Sequence, residues 1–190
     1  MFTNDERPKT LQECFERLKK GCETLKEEYG YSDYAKFNPP LTEKEIQELQ
    51  EYEKRLGFQL PEAYREFLKF SNGAIIDGLE IYELDMIGMP DDYVPDGYLP
   101  ISCREMTSER LAISEEDGEI YIFWDFRGDK YDFKSALMDM LSECEGNIAL
   151  AKKKKEDEMR TPEQIKKDED DFNDFVERLK KSLELHKEKN

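Results

Sequence analysis

The sequence predicts an α+β fold in which helices flank a mainly antiparallel sheet, with an extra long helix at the C-terminal end. Two helices between residues 42 and 73 carry unusually complete start and stop signals. Between residues 75 and 133 the chain changes to short β-prone runs separated by turn residues. Apolar stripes at helical period lie before and after both regions. Helices packed against one face of an antiparallel sheet are the layer arrangement that this order of elements favours.

In chain order, Leu11, Phe15, Leu18, Cys22, Leu25 and Tyr29 step by four, three, four, three and four, which places them on one helix face. Residues 30–40, GYSDYAKFNPP, read as a loop held extended by Pro39 and Pro40. Thr42 and Glu45 form a capping box, with Leu41 and Ile46 at the two positions of a hydrophobic staple. A helix is therefore expected from Thr42 to Leu56, its inner face carrying Ile46, Leu49, Tyr52 and Leu56. Gly57 closes it, because a residue without Cβ enters the left-handed region at little cost.

Pro61 fits the first position of the next helix, where a missing N–H costs nothing. Tyr64, Phe67 and Leu68 then share one face, and Asn72 and Gly73 are expected to stop the helix, both tolerating positive φ. Ile75 and Ile76, a tight Asp77-Gly78 turn, and Leu79 to Tyr82 read as a hairpin. Residues 85–97 form a loop rich in Pro, Gly and Asp, and strands are expected at 98–103, 110–114 and 119–124. Residues 115–118 turn the chain between the last two of these, and Trp124 is expected to pack in the core or on the sheet. A turn over 125–129 precedes a strand at 131–133. The closing helix carries Leu137, Met138 and Leu141 and is expected to end at Gly146.

The expected division is a domain over 1–150 and a tail over 151–190, a charged linker followed by an amphipathic helix. KKKK at 152–155 reads as a solvated run, and Thr161, Pro162 and Gln164 begin the helix with a second capping box. Ile165, Phe172, Val176, Leu179 and Leu183 mark its apolar face. That face needs cover, with its own domain as the expected partner and self-association or a partner helix as the alternatives.

Composition sets further bounds. Apolar residues make up 37% and charged residues 39%, so a compact core must sit under a heavily solvated surface. Eleven Phe, ten Tyr and Trp124 argue against global disorder. No apolar run is long enough to span a membrane and no secretory leader opens the chain, so a cytoplasmic location is expected. Cys14, Cys22, Cys103 and Cys144 match neither a disulfide framework nor a zinc pattern and read as buried free thiols.

Charge is concentrated along the chain. Residues 71–150 hold 19 acids against 5 bases, which accounts for −14 of the net −17. Such a field repels nucleic acid and anionic lipid, and it steers a basic partner toward that surface.

No catalytic constellation stands out. His186 is the only histidine and no motif ties it to a nucleophile. Glycine clusters that cradle phosphate are missing, and residues 115–119 lack the alternating ligands of a calcium loop. No catalytic residue, metal site or cofactor is expected. The candidate contact surface is acidic instead: Asp77, Glu80, Glu83, Asp85, Asp91, Asp92, Tyr93, Asp96, Glu115, Glu116 and Asp117. An aromatic ring among carboxylates on a loop, as at Tyr93, suits protein docking.

The string FNPPLTEKEIQELQEYEKRLGFQLPEAYREFLKFSNG, residues 37–73, resembles the signature of the SUKH superfamily. The matching positions are Pro39, Pro40, Thr42, Ile46, Leu49, Gly57, Leu60, Pro61, Tyr64, Phe67, Leu68, Asn72 and Gly73. YLPIS at 98–102, RLAIS at 110–114, GEIYIFWD at 118–125 and a helix around 135–145 resemble the later elements in order and spacing. The resemblance covers residues 11–146 and leaves 147–190 outside. It implies a non-enzymatic protein-binding module, either a bacterial immunity protein that neutralises a cognate toxin or a regulatory scaffold like the fungal cell-wall assembly regulators. The local acidity favours a basic, nuclease-type toxin, with no direct nucleic-acid or membrane binding.

Overall fold

A computed structural model describes residues 7–104 and 107–187. Among these residues the chain forms five α-helices and one seven-stranded antiparallel sheet, an α+β fold with a long helix at its C-terminal end. The strands β1 (Ala35–Phe37), β2 (Ala74–Ile76), β3 (Leu79–Ile81), β4 (Tyr98–Arg104), β5 (Arg110–Ser114), β6 (Ile120–Trp124) and β7 (Arg127–Tyr131) lie in sequence order across the sheet. The helices are α1 (Leu11–Tyr29), α2 (Glu43–Leu56), α3 (Glu62–Phe70), α4 (Phe133–Glu158) and α5 (Pro162–Lys187). By compactness the chain divides into Met1–Ala149 and Leu150–Asn190.

One face of the sheet carries the core. Ala74, Ile76, Leu79, Ile81, Leu111, Ile113 and Ile120 are buried with Phe15, Leu18 and Leu25 of α1, Tyr64, Phe67 and Leu68 of α3, and Phe133, Leu137 and Leu141 of α4. Aromatic edges meet aromatic faces at its centre: the Phe133 ring lies 5.1 Å from Tyr64 and 5.7 Å from Phe67. Tyr64 satisfies its buried hydroxyl by donating to the carbonyl of Tyr82 at 3.0 Å.

The punctuation of α2 appears as read. The N–H of Glu45 reaches the Thr42 hydroxyl and the Glu45 carboxylate takes the N–H of Thr42, while Gly57 closes the helix at φ 80°. The capping box of α5 is also present, with the N–H of Thr161 donating to Gln164 at 2.8 Å.

Elsewhere the structure corrects the expectations. Pro61 is the cap residue before α3 rather than its first helical residue, with φ −51° and ψ 132°. α3 ends at Phe70, and Asn72 stays at negative φ. Its side chain instead accepts the N–H of Leu84 at 2.8 Å, tying the end of α3 to the segment after β3. Gly73 does adopt φ 85°, and a Cβ there would meet the backbone N of Glu83 at 2.9 Å.

Residues 35–37, expected in a loop, form β1 against β2. The turn expected over 125–129 is two residues long, so β7 begins at Arg127, and Phe133 opens α4 instead of ending a strand. Gly146 does not end α4; it is exposed inside it, with open space around its Cα, and the lysine run 152–155 is helical. Cys14, Cys22 and Cys144 are buried free thiols, whereas Cys103 is half-buried on the other face of the sheet.

Candidate functional site

Strand register places the expected site residues in separate places. Asp77 is in the β2–β3 turn, at the sheet end shared by Arg104, Arg110 and the β6–β7 turn, since Leu79 faces Arg104, Cys103 faces Arg110 and Arg110 faces Phe123. Asp96, Glu115, Glu116 and Asp117 gather at the opposite end, where Tyr98 faces Ser114 and Ile113 faces Ile120. A bond from the N–H of Glu115 to the carbonyl of Gly97 at 2.9 Å holds the two loops of that end together.

Local hydrogen bonds set the backbone of the turn at this acidic end. The Ser114 hydroxyl accepts from the N–H groups of Glu116 and Asp117, and Asp117 accepts from the N–H of Glu119 at 3.0 Å and from the Tyr121 hydroxyl at 3.1 Å. These bonds, the one from Glu119 foremost, hold the Asp117 carboxyl below its ordinary range. Gly118, at φ 71°, closes the turn over the ring of Phe58. The carboxylates of Asp96, Glu115, Glu116 and Asp117 are exposed on this turned backbone.

The remaining carboxylates have local roles. Asp91 is held at the outer face of the sheet, where Arg110 Nε reaches its Oδ2 at 2.6 Å while its Oδ1 accepts the N–H of Tyr93 at 2.8 Å. Only 12% of the Asp91 side chain and 11% of the Arg110 side chain are exposed, so this pair serves to fasten the loop. Arg110 also lies over the Tyr93 ring, 4.9 Å from its centroid. Glu80 accepts the Cys103 thiol at 3.4 Å, and burial pushes that thiol up. Glu80 and Glu83 line one groove with Lys36, Asn38 and Met86. Asp85 is exposed in a 3-10 turn, and Lys44 is held protonated by Glu48 first, with Glu45 and Asp85 adding less. Asp92 is exposed beside Asp91.

Sequence reasoning missed an aromatic group at the Asp77 end. Asp125 and Phe126 occupy the β6–β7 turn at φ 48° and 68°, a conformation that glycine and asparagine adopt readily and a bulky ring does not. Phe126 is 63% exposed and its ring lies 6.1 Å from that of Tyr93. Trp124, expected in packing, is 47% exposed at the same end. An aromatic residue in a turn that would normally hold glycine was the available signal, but it read as an ordinary turn.

Glu53 was missed as well. It is buried in α2, accepts the N–H of Leu60 at 2.8 Å, and lies 3.0 Å from Arg65 Nε in an ion pair not aligned as a hydrogen bond. This carboxylate joins α2, the Gly57 connection and α3 into one unit.

Among the described residues no helix is long and apolar enough to cross a membrane, and no cluster of His, Cys, Asp and Glu has the arrangement of a metal site. The side chains of Ile165, Leu183 and His186 lie outside the described residues. In α5, Phe172, Phe175 and Leu179 are exposed.

No curated protein matches the chain. A family model does, from Pro40 into α5, which extends the likeness beyond residue 146, where the sequence motifs had placed its end. Matched over residues 40–178, the chain belongs to the SMI1 / KNR4 family (SUKH-1).

Proposed function

We propose that this protein is a non-enzymatic binding module that neutralises a basic, nuclease-type toxin by occluding it, in the manner of a bacterial immunity protein. Family membership supports a protein-binding or immunity role. The observation that carries the basic partner is the acidic end of the sheet, where Asp96, Glu115, Glu116 and Asp117 are exposed on loops joined by the Glu115–Gly97 backbone bond. Carboxylates held on a turned backbone lose little entropy on binding and form charge-assisted pairs with the Arg and Lys that otherwise hold nucleic acid. Opposite charge also accelerates encounter.

Of the three arginines between residues 71 and 150, Arg104 pairs with Glu109 at 2.8 Å and Arg110 with Asp91 at 2.6 Å, and Arg127 lies beside the β6–β7 turn at that same Asp77 end of the sheet. They do not dilute the field at the opposite end. The protein in this reading sits in the cytoplasm beside its toxin and needs no cofactor. Co-expression with a panel of basic nuclease toxin domains tests it: protection and a co-eluting complex are the expected result. Absence of both across the panel would overturn it.

A regulatory scaffold is the second reading, favoured by the exposed apolar residues of α5. Removing 151–190 separates the two, because toxin binding at the acidic end survives the truncation and a scaffold built on α5 does not.

A further inference from the structure

α5 is a 26-residue helix whose apolar series and whose charges share one centre in the sequence. Phe172, Val176, Leu179 and Leu183 follow one another by four, three and four, the spacing of a helix–helix seam. The midpoint of this series falls between residues 177 and 178. Residues 168–177 hold six acids and no base, whereas 178–187 hold four bases and one acid, so charge changes sign at the same midpoint. Phe172 and Leu179 are exposed and Val176 is half-buried.

We propose that α5 pairs antiparallel with α5 of a second copy of this chain, about a two-fold axis at residues 177 and 178. A pair related by such an axis is self-complementary by construction. Phe172 then faces Leu183, and Val176 faces Leu179. Each acidic block lies along the basic block of the other copy over about 15 Å, the length of ten helical residues. A parallel pair would place acid on acid and base on base, so the charge pattern selects the antiparallel one. Favourable interaction with the helix dipole does not account for the pattern, because that effect is confined to the terminal turns and these blocks extend to mid-helix. The proposal is independent of what the acidic end of the sheet binds.

Sedimentation velocity of the full chain over a concentration series tests it. The expected result is a monomer–dimer equilibrium that weakens roughly tenfold between low and high salt, because the flanking ion pairs are exposed and screened. Val176→Glu with Leu179→Glu, with helix content checked by circular dichroism, is expected to leave only monomer. Two charge variants give a sharper test. Replacing all six acids of 168–177 by Lys makes that block basic like its neighbour, and Arg178→Glu with Lys180→Glu, Lys181→Glu and Lys187→Glu makes the 178–187 block acidic like the first. Each is expected to be monomeric alone and to associate when the two are mixed. A wild-type chain that stays monomeric at every concentration overturns the proposal, as does a dimer that tightens with salt or persists in the Val176, Leu179 variant.

Discussion

Asp91 and Arg110 are 19 positions apart and meet at 2.6 Å, and the contact fixes the 85–97 loop to the outer face of the sheet. Both carboxylate oxygens are engaged, one by Arg110 and one by the N–H of Tyr93, and the guanidinium lies over the Tyr93 ring. The acidic loop is therefore positioned by one of its own acids. Asp91→Ala is expected to destabilise the fold by about 2–3 kcal/mol, because it leaves a nearly buried guanidinium without its carboxylate. Chemical denaturation checks this, and hydrogen exchange in residues 88–97 is expected to rise.

Glu53 gives a test on the core side. Glu53→Gln keeps an acceptor for the N–H of Leu60 and loses only the charge opposite Arg65, whereas Glu53→Ala loses both. The alanine variant is expected to cost about 3 kcal/mol and the glutamine variant roughly half of that. Equal losses would mean that the ion pair, and not the Leu60 bond, is what counts.

Phe126 has a turn conformation that favours glycine, so Phe126→Gly is expected to stabilise the isolated protein by about 1 kcal/mol. Thermal unfolding of the variant checks the sign, and weaker complex formation by the same variant would mark Phe126 as a contact residue.

Asp117 sets a pH dependence. Its carboxyl is depressed in the fold, so its stabilising contribution is present above the unfolded value and is lost as pH falls through the folded one. The expected window lies below about pH 4, the ordinary aspartate value. Asp117→Asn is expected to flatten the fall in stability there, measured by denaturant titration over a pH series. An unchanged slope would show that the turn does not depend on the ionised form.

The helices were legible because their signals are local. The Thr42 capping box, the Gly57 stop and the faces of α1 and α3 all depend on residues within a few positions of one another. The Asp77-Gly78 hairpin was legible for the same reason, its two residues taking φ 49° and 74°. β1 was not, because a three-residue strand carries too little alternation and its pairing partner lies beyond two helices. β7 reads RGDKY, exposed at all but its last residue, and an edge strand of this kind has no buried face to write into the sequence. Gly146 misled because glycine in an exposed helix position costs only about 1 kcal/mol, which the packing of α4 outweighs.

The site was legible as a charge distribution and not as a surface. Sequence placed Asp77 with Glu115 to Asp117, while register puts them at opposite ends of the sheet. Asp91 and Glu80 looked like free carboxylates, but their partners, Arg110 and Cys103, are brought to them only by strand pairing. A composition count cannot separate an acid that faces a partner from one that fastens a loop.

Calorimetric titration of the full chain with basic nuclease toxin domains, at low and high salt, tests the binding account most directly. Wild type and a Glu115→Lys, Glu116→Lys variant are compared. The expected result is a complex whose affinity falls with salt and falls about tenfold or more in the variant, with unfolding stability unchanged. A complex indifferent to both salt and the substitutions would contradict it.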